Sequence, residues 1–251
     1  MKYKALFLDV DGTTVAHGEG NLPTERVTRA IAMCRKNGVF VCLATSRPLS
    51  SVRRVIEHLD LAEYHVISSG AQIYDGTTKK IIVEKSIPKS CVMHIFDVAK
   101  KYNVHVKFFD GVTDSHFDGV HIPEKIVDAY FPELEPKILK KIHRALSSTE
   151  GIALHRMFAW NSTYECLDIT HEEVSKLHGI VDVAKLIGVE TKDSIGVGDG
   201  HNDFPLLLAC GLKIAMGNAV PELKAIADFV APTVNEDGVA VVIEKFILEN
   251  N

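Results

Sequence analysis

Short apolar runs punctuate the two ends of the chain. Ala5-Leu6-Phe7-Leu8, Val39-Phe40-Val41-Cys42-Leu43 and Ser194-Ile195-Gly196-Val197 present apolar or small residues on both faces. Such runs suit parallel strands covered on both sides, and helical segments lie between them. The amino-terminal part is predicted to be a strand over 4–9, a helix over 23–37 stopped by Gly38, a strand over 39–43, a helix from Pro48 to about Leu59, and a strand over 65–68. A hairpin over 70–84 turns at Asp75-Gly76. From 175 onward the same rhythm returns. A helix over 177–187 stops at Gly188, followed by a strand over 193–198, a helix over 204–209, a strand over 212–215, a helix over 221–227, a short strand at 229–230 and a final helix over 239–248. Together the two ends offer five or six parallel strands.

Between them the period changes. A helix over 89–102 leads into 104–109, where apolar and polar residues alternate, and a further strand is expected over 113–117. Two short helices are expected within 123–147, broken near Pro132 and Pro136, then strands over 152–160 and 164–169 joined by a turn at Asn161-Ser162. Alternating strands joined by turns imply an antiparallel sheet with one covered face. The fold class expected is therefore α/β. A Rossmann-like, doubly wound parallel core (1–85 and 171–251) carries an inserted α+β domain (86–170).

Composition excludes several classes. The 251 residues carry a net charge of −5 with no long basic run, so a nucleic-acid-binding face is not expected. No apolar stretch reaches the roughly 18 residues that span a bilayer, and Met1-Lys2-Tyr3-Lys4 does not read as a signal peptide. Five scattered cysteines, without CxxC pairs, read as reduced thiols of a cytoplasmic protein. Oligomeric state is not legible.

Chemistry concentrates in two acidic loops, each directly after a buried strand: Asp9-Val10-Asp11-Gly12-Thr13 and Gly198-Asp199-Gly200-His201-Asn202-Asp203. In open α/β sheets, ligands bind at the carboxyl ends of the strands. Four converging acids repel one another, and a hard divalent cation relieves this; Mg²⁺ with carboxylates and a phosphate is the usual arrangement. On this reading Asp9 holds the metal and attacks phosphorus, while Asp11 shuttles a proton. Asp199 is a metal ligand, and Asp203 either contributes a ligand or orients the site. Asn202 could bond the phosphate or Asp9. Thr45 and Ser46 at a strand end read, taken alone, as a cap for the helix that follows, with an anion site as the other reading. Arg47 could hold a phosphate bidentately. Lys176 and Arg47 are the cations of this domain that flank a motif and could neutralise a phosphoryl transition state. His201, in the second acidic loop, reads as a surface residue.

These motifs together resemble the haloacid dehalogenase superfamily of phosphatases, in particular the Cof-type or class IIB subgroup with a C2-type cap. The string DxDGT is matched by Asp9, Asp11, Gly12 and Thr13, and the second motif by Thr45 and Arg47, with Ser46 in place of the usual Gly. Lys176 matches the family lysine, although the Gly that usually follows is Leu177, and GDxxND is matched by Gly198, Asp199, Asn202 and Asp203. Met216-Gly217-Asn218-Ala219 and Asn235-Glu236-Asp237-Gly238-Val239 also look like this family.

The resemblance implies a Rossmann-like core, Mg²⁺, and hydrolysis of a small phosphorylated metabolite through a phospho-aspartate. Asp9 is then the nucleophile, Asp11 the acid/base, Thr45 a phosphate ligand, Lys176 the neutralising cation and Asp199 the metal ligand. In the family the Asp11 carbonyl also binds the metal. The inserted domain becomes a lid with hinges near 84–88 and 168–176, and Lys107 and Arg156 become candidate substrate contacts. His105, Lys107 and Phe109 share one strand face, and Val104, Val106 and Phe108 pack on helices from the other. A sugar phosphate and a phosphoglycolate-like compound are both open as substrates. A phosphotransferase or mutase on the same scaffold, or a non-catalytic regulatory module, stands as the alternative.

Overall fold

The computed structural model describes residues 2–18, 21–115, 117, 119–121, 123–158 and 164–249. The amino-terminal elements are β1 (Ala5–Leu8), α1 (Glu25–Lys36), β2 (Phe40–Leu43), α2 (Leu49–His58), β3 (Tyr64–Ile67), β4 (Gln72–Asp75) and β5 (Lys80–Glu84). The central elements are α3 (Lys89–Tyr102), β6 (Lys107–Phe109), β7 (Asp114–Ser115), β8 (Asp128–Leu134), α4 (Pro136–Leu146), β9 (Ile152–Phe158) and β10 (Glu165–His171). The chain closes with α5 (Lys176–Leu186), β11 (Ser194–Gly198), α6 (Phe204–Ala209), β12 (Leu212–Ala215), α7 (Pro221–Ile226), β13 (Phe229–Val230) and α8 (Gly238–Ile243).

Five of these strands form a parallel sheet in the order β13-β12-β11-β1-β2. A parallel bridge between Ala44 and Val66, with Thr45 N donating to Val66 O at 2.9 Å, adds β3 beyond β2. Strand order runs outward in opposite directions from β1 and β11, so the topological switch point lies between these two strands, where open α/β sheets bind ligands. The apolar runs read from sequence are fully buried here, Ala5–Leu8 and Ser194–Gly198 throughout, and one continuous core surrounds them. Strands β3, β4 and β5 form a small antiparallel sheet.

The central residues build a second sheet in the order β7-β6-β8-β10-β9, antiparallel throughout. Helices α3 and α4 cover one face around a separate core that includes Ile95, Phe108, Phe131, Ile142 and Leu167. Val104 and Val106 pack against that core with Phe108. One expectation fails. The first of the two helices expected within 123–147 is instead the strand β8, at the centre of this sheet. Its side chains alternate, Ala129 and Phe131 buried and Asp128 and Tyr130 half-buried. Pro132, the apparent helix breaker, sits where β8 has run past β6, which pairs only with residues 128–130. The ladder to β10 is irregular between Glu165 and Leu167, opposite this point. A proline costs little at such a bulge. The turn expected at Asn161-Ser162, and the distal end of the strand expected to reach 160, lie outside the described residues, as does part of the strand expected over 113–117.

Candidate active site

The register decides which side chains meet. Leu8 pairs with Val197 on one side and Leu43 on the other, so the residues following these strands emerge at one edge of the sheet. Asp9 N still donates to Val197 O at 3.0 Å, which sets Asp9 directly beside the β11 end that carries Asp199. Gly12 then turns the chain with φ +76°, and a Cβ there would collide with the Asp199 carboxylate. Only glycine allows both the turn and the close approach. Thr13 Oγ1 donates to Asp199 Oδ1 at 2.8 Å and Thr14 Oγ1 donates to Asp9 O at 2.6 Å.

Asp9 and Asp11 diverge into different partnerships. Lys176 Nζ donates to Asp9 Oδ1 at 2.6 Å and to Asp203 Oδ1 at 2.6 Å. Arg47 grips Asp11 bidentately, Nε to Oδ2 at 2.7 Å and a terminal nitrogen to Oδ1 at 2.5 Å. Lys176 is 2% exposed, so it is a buried cation rather than a solvated charge. Asp203 is wholly buried. Its second oxygen accepts from the backbone N–H groups of Asp199 and Gly200, each at 2.9 Å. Asp203 therefore locks the β11 loop and aims Lys176 at Asp9.

Thr45 and Ser46 do not cap α2, whose first residue receives no side-chain cap. Thr45 Oγ1 instead accepts from Arg47 N at 3.1 Å, and Ser46 Oγ accepts from Asn202 Nδ2 at 3.1 Å. The loops after β2 and β11 are thus tied together across the switch point.

Carboxylate oxygens of Asp9, Asp199 and Asp203 lie within 4.8 Å of one another. Burial, reinforced by Asp203 and opposed by Lys176, pushes Asp9 up to about 7. Burial and the neighbouring Asp9 and Asp203 push Asp199 well above the carboxylate range. Burial alone would lower Lys176, but Asp203 and Asp9 more than offset it and hold the ammonium above its ordinary value. Acids that resist ionisation this strongly, with a single cation between them, fit a divalent metal chemically. Both oxygens of Asp203 are already engaged, so Asp9 and Asp199 are the carboxylates suited to the ion. The Asp11 carboxylate stands outside this cluster, paired with Arg47.

A cavity of about 340 Å³ opens between this edge and the second sheet. Asp9, Asp11, Thr45, Ser46, Arg47, Asp199 and Asn202 line one side, and Lys107, Phe109, Asp128, Tyr130 and Asp168 the other. Lys176 and Asp203 are not on its wall. Arg156 is not either; its guanidinium is bound to Glu165 at 2.8 and 2.5 Å. His201 is half-buried and does not line the cavity.

Sequence reasoning gave no role to Asn218, His17 and Asp168. Asn218 donates to Gly12 O at 2.8 Å and to Asp199 Oδ2 at 3.3 Å. His17 lines the cavity with Nε2 3.8 Å from Asp199 Oδ2. Asp168 reaches across from the second sheet and accepts from Ser69 Oγ. A signal existed only for Asn218, which follows the next strand of the parallel sheet, β12.

Parallel core, switch-point carboxylates and inserted sheet define a hydrolase class: the chain belongs to the haloacid dehalogenase-like hydrolases, whose family profile matches residues 6–130 and 121–243. Among its relatives, Bacillus subtilis (strain 168) YxeH is 26% identical over 269 residues, covering 98% of this chain and 99% of that one. The 5-amino-6-(5-phospho-D-ribitylamino)uracil phosphatase YcsE of the same organism is 24% identical over 250 residues, covering 98% and 96%. In fold, the chain resembles the HAD subclass IIB sugar phosphatase BT4131, with a TM-score of 0.81 at 21% identity over 97% of this chain and 98% of that one.

Proposed function

We propose that this hydrolase is a Mg²⁺-dependent phosphatase that releases phosphate from a small phosphorylated metabolite through an aspartyl-phosphate on Asp9. One observation carries the proposal. Asp9, at the switch point, is held on one side by Lys176 and stands on the other beside Asp199, in a cavity wall that also carries Arg47 and Thr45. The phosphatase named above as a relative supports the same chemistry.

Asp9 attacks phosphorus, and the bond to the ester oxygen breaks as the Asp9–phosphorus bond forms. Asp11 gives its proton to the departing alcohol oxygen and takes one back from the water that then attacks phosphorus and releases Asp9 and phosphate. Arg47 turns from Asp11 to the phosphoryl oxygens, which Thr45 also meets, and its release leaves Asp11 free to carry the proton. Lys176 fixes the Asp9 carboxylate in one rotamer and offsets its charge, a positioning role set by Asp203. Asp9, Asp199 and the Asp11 carbonyl would hold Mg²⁺, which would supply neutralisation of the charge developing on the phosphoryl oxygens.

The second sheet serves as a cap that closes the cavity from water and selects the substrate. Its connections to the core run through 85–88 and 172–175, where Lys85 and Glu173 pair at 2.7 Å. No helix among the described residues is long and apolar enough to cross a membrane. The test is phosphate release from a panel of phosphorylated metabolites with Mg²⁺ and with chelator. Turnover that requires Mg²⁺ and vanishes in Asp9→Asn supports the reading; metal-independent turnover, or full activity in that variant, overturns it.

A further inference from the structure

The cavity-facing side of the second sheet has its own chemistry, fixed by strand register. Phe109 pairs with Asp114 on one side and Asp128 on the other. One step along the same face, Tyr130 pairs with Lys107 and Asp168. All six residues line the cavity. The face thus offers three carboxylates against one ammonium, opposite the end of the cavity where the phosphoryl group is placed.

Two of the carboxylates have protein partners. Asp114 lies 3.6 Å from Lys107 Nζ, and Asp168 accepts from the Ser69 hydroxyl. Asp128 differs. Among the described residues no hydrogen-bond donor and no cation reaches its side chain, although it is half-buried at the centre of the sheet. Its electrostatic neighbours are Asp168 and Asp114, and these, with burial, make it hard to ionise. Its carboxylate opens to the cavity, where an incoming donor, above all one with positive charge, would relieve that repulsion. Phe109 is the register partner of Asp128, Tyr130 is two residues along the same strand, and both line the cavity, where aromatic faces attract an ammonium.

We infer that the alcohol portion of the substrate carries a protonated amine, and that Asp128 is the specificity-determining residue that receives it. The chemical class is a phosphate monoester with its dianion at one end and an ammonium at the other. An ester with a second anionic group, phosphoglycolate included, would set like charges against this wall. The inference rests on the phosphatase reading and narrows it.

The test compares kcat/KM, with Mg²⁺ present, for matched esters: glucosamine 6-phosphate against glucose 6-phosphate and 6-phosphogluconate, and pyridoxamine 5′-phosphate against pyridoxine 5′-phosphate. The amine is expected to exceed its hydroxyl partner about tenfold or more in at least one pair, the effect of one charge-assisted bond in a desolvated site. The carboxylate ester is expected to be the poorest. In Asp128→Asn the amine-to-hydroxyl ratio should fall towards unity, a readout internal to the variant and independent of how much of it folds. Equal rates for amine and hydroxyl in both wild-type pairs, or a preference that survives Asp128→Asn, would overturn the inference while leaving the phosphatase reading standing. If the wild type releases no phosphate from any ester, p-nitrophenyl phosphate included, both fall.

Discussion

The two buried 2.6 Å contacts of Lys176 decide how Asp9 behaves. Removing one partner of a buried ion pair leaves an uncompensated charge and costs about 3–5 kcal/mol. Lys176→Met is therefore expected to lose about 3 kcal/mol in denaturant unfolding of the metal-free protein. Turnover should drop about a hundredfold or more, because the carboxylate that attacks phosphorus is no longer held. Gly12→Ala is a different kind of lesion. It places a side chain at φ +76° and drives a methyl group into the Asp199 carboxylate. The expected result is a weakened Mg²⁺ site, read as an activity midpoint at about tenfold higher Mg²⁺ than wild type, by steric displacement of a ligand. The acids, Thr45 and Arg47 were legible because strand ends are legible, and an apolar run stopping at Asp-x-Asp-Gly announces a polar edge. The interior position of Lys176 was not, since a lone lysine at a helix start looks the same whether it meets solvent or two carboxylates. Asp128, Asp168 and His17 gave no signal, because their neighbours come from other strands and loops.

At the scale of elements, the parallel core was legible because its strands are buried on both faces and need continuous apolar runs. The second sheet was harder. One face lines a polar cavity, and β8 mixes Asp128 and Tyr130 with Ala129 and Phe131 and carries a proline-containing bulge before its end. Proline was read as a helix break, when its position beyond the β6 ladder makes it harmless. Phe131 is fully buried in the second core. Phe131→Ala is expected to cost about 3–5 kcal/mol by the cavity it leaves. Limited proteolysis or hydrogen exchange should place the loss chiefly in residues 87–171, with β1, β2 and β11 still protected, because the parallel sheet has its own core.

For the whole molecule, the site makes stability depend on pH and metal together. The folded chain binds a proton at Asp9 more tightly than the unfolded chain does, about 7 against 3.8. The folded state then holds more protons, so this carboxylate contributes a loss of stability as pH rises from about 4 through 7. His65 acts oppositely. It is buried, its Nδ1 accepts from Leu43 N at 3.1 Å, and burial lowers it from 6.5 to about 4, so its contribution is lost as pH falls through that window. The metal-free curve balances contributions of both signs, Asp199, Asp128 and Asp168 acting in the same direction as Asp9 and His155 in the same direction as His65, and Mg²⁺ relieves those of Asp9 and Asp199. Thermal unfolding should show a larger Mg²⁺-induced rise in Tm at pH 7.5 than at pH 5; an equal or smaller rise at the higher pH would contradict a metal site built from Asp9 and Asp199.

The central claim is that Asp9 becomes covalently phosphorylated during turnover. Acid quenching of the enzyme with a turned-over ester and Mg²⁺, followed by peptide mass spectrometry, tests it most directly. A phosphoryl adduct on the peptide bearing Asp9, absent in Asp9→Asn and absent with chelator, is the predicted result. Steady phosphate release with no adduct at Asp9 at any quench time, and unimpaired release in Asp9→Asn, would contradict it.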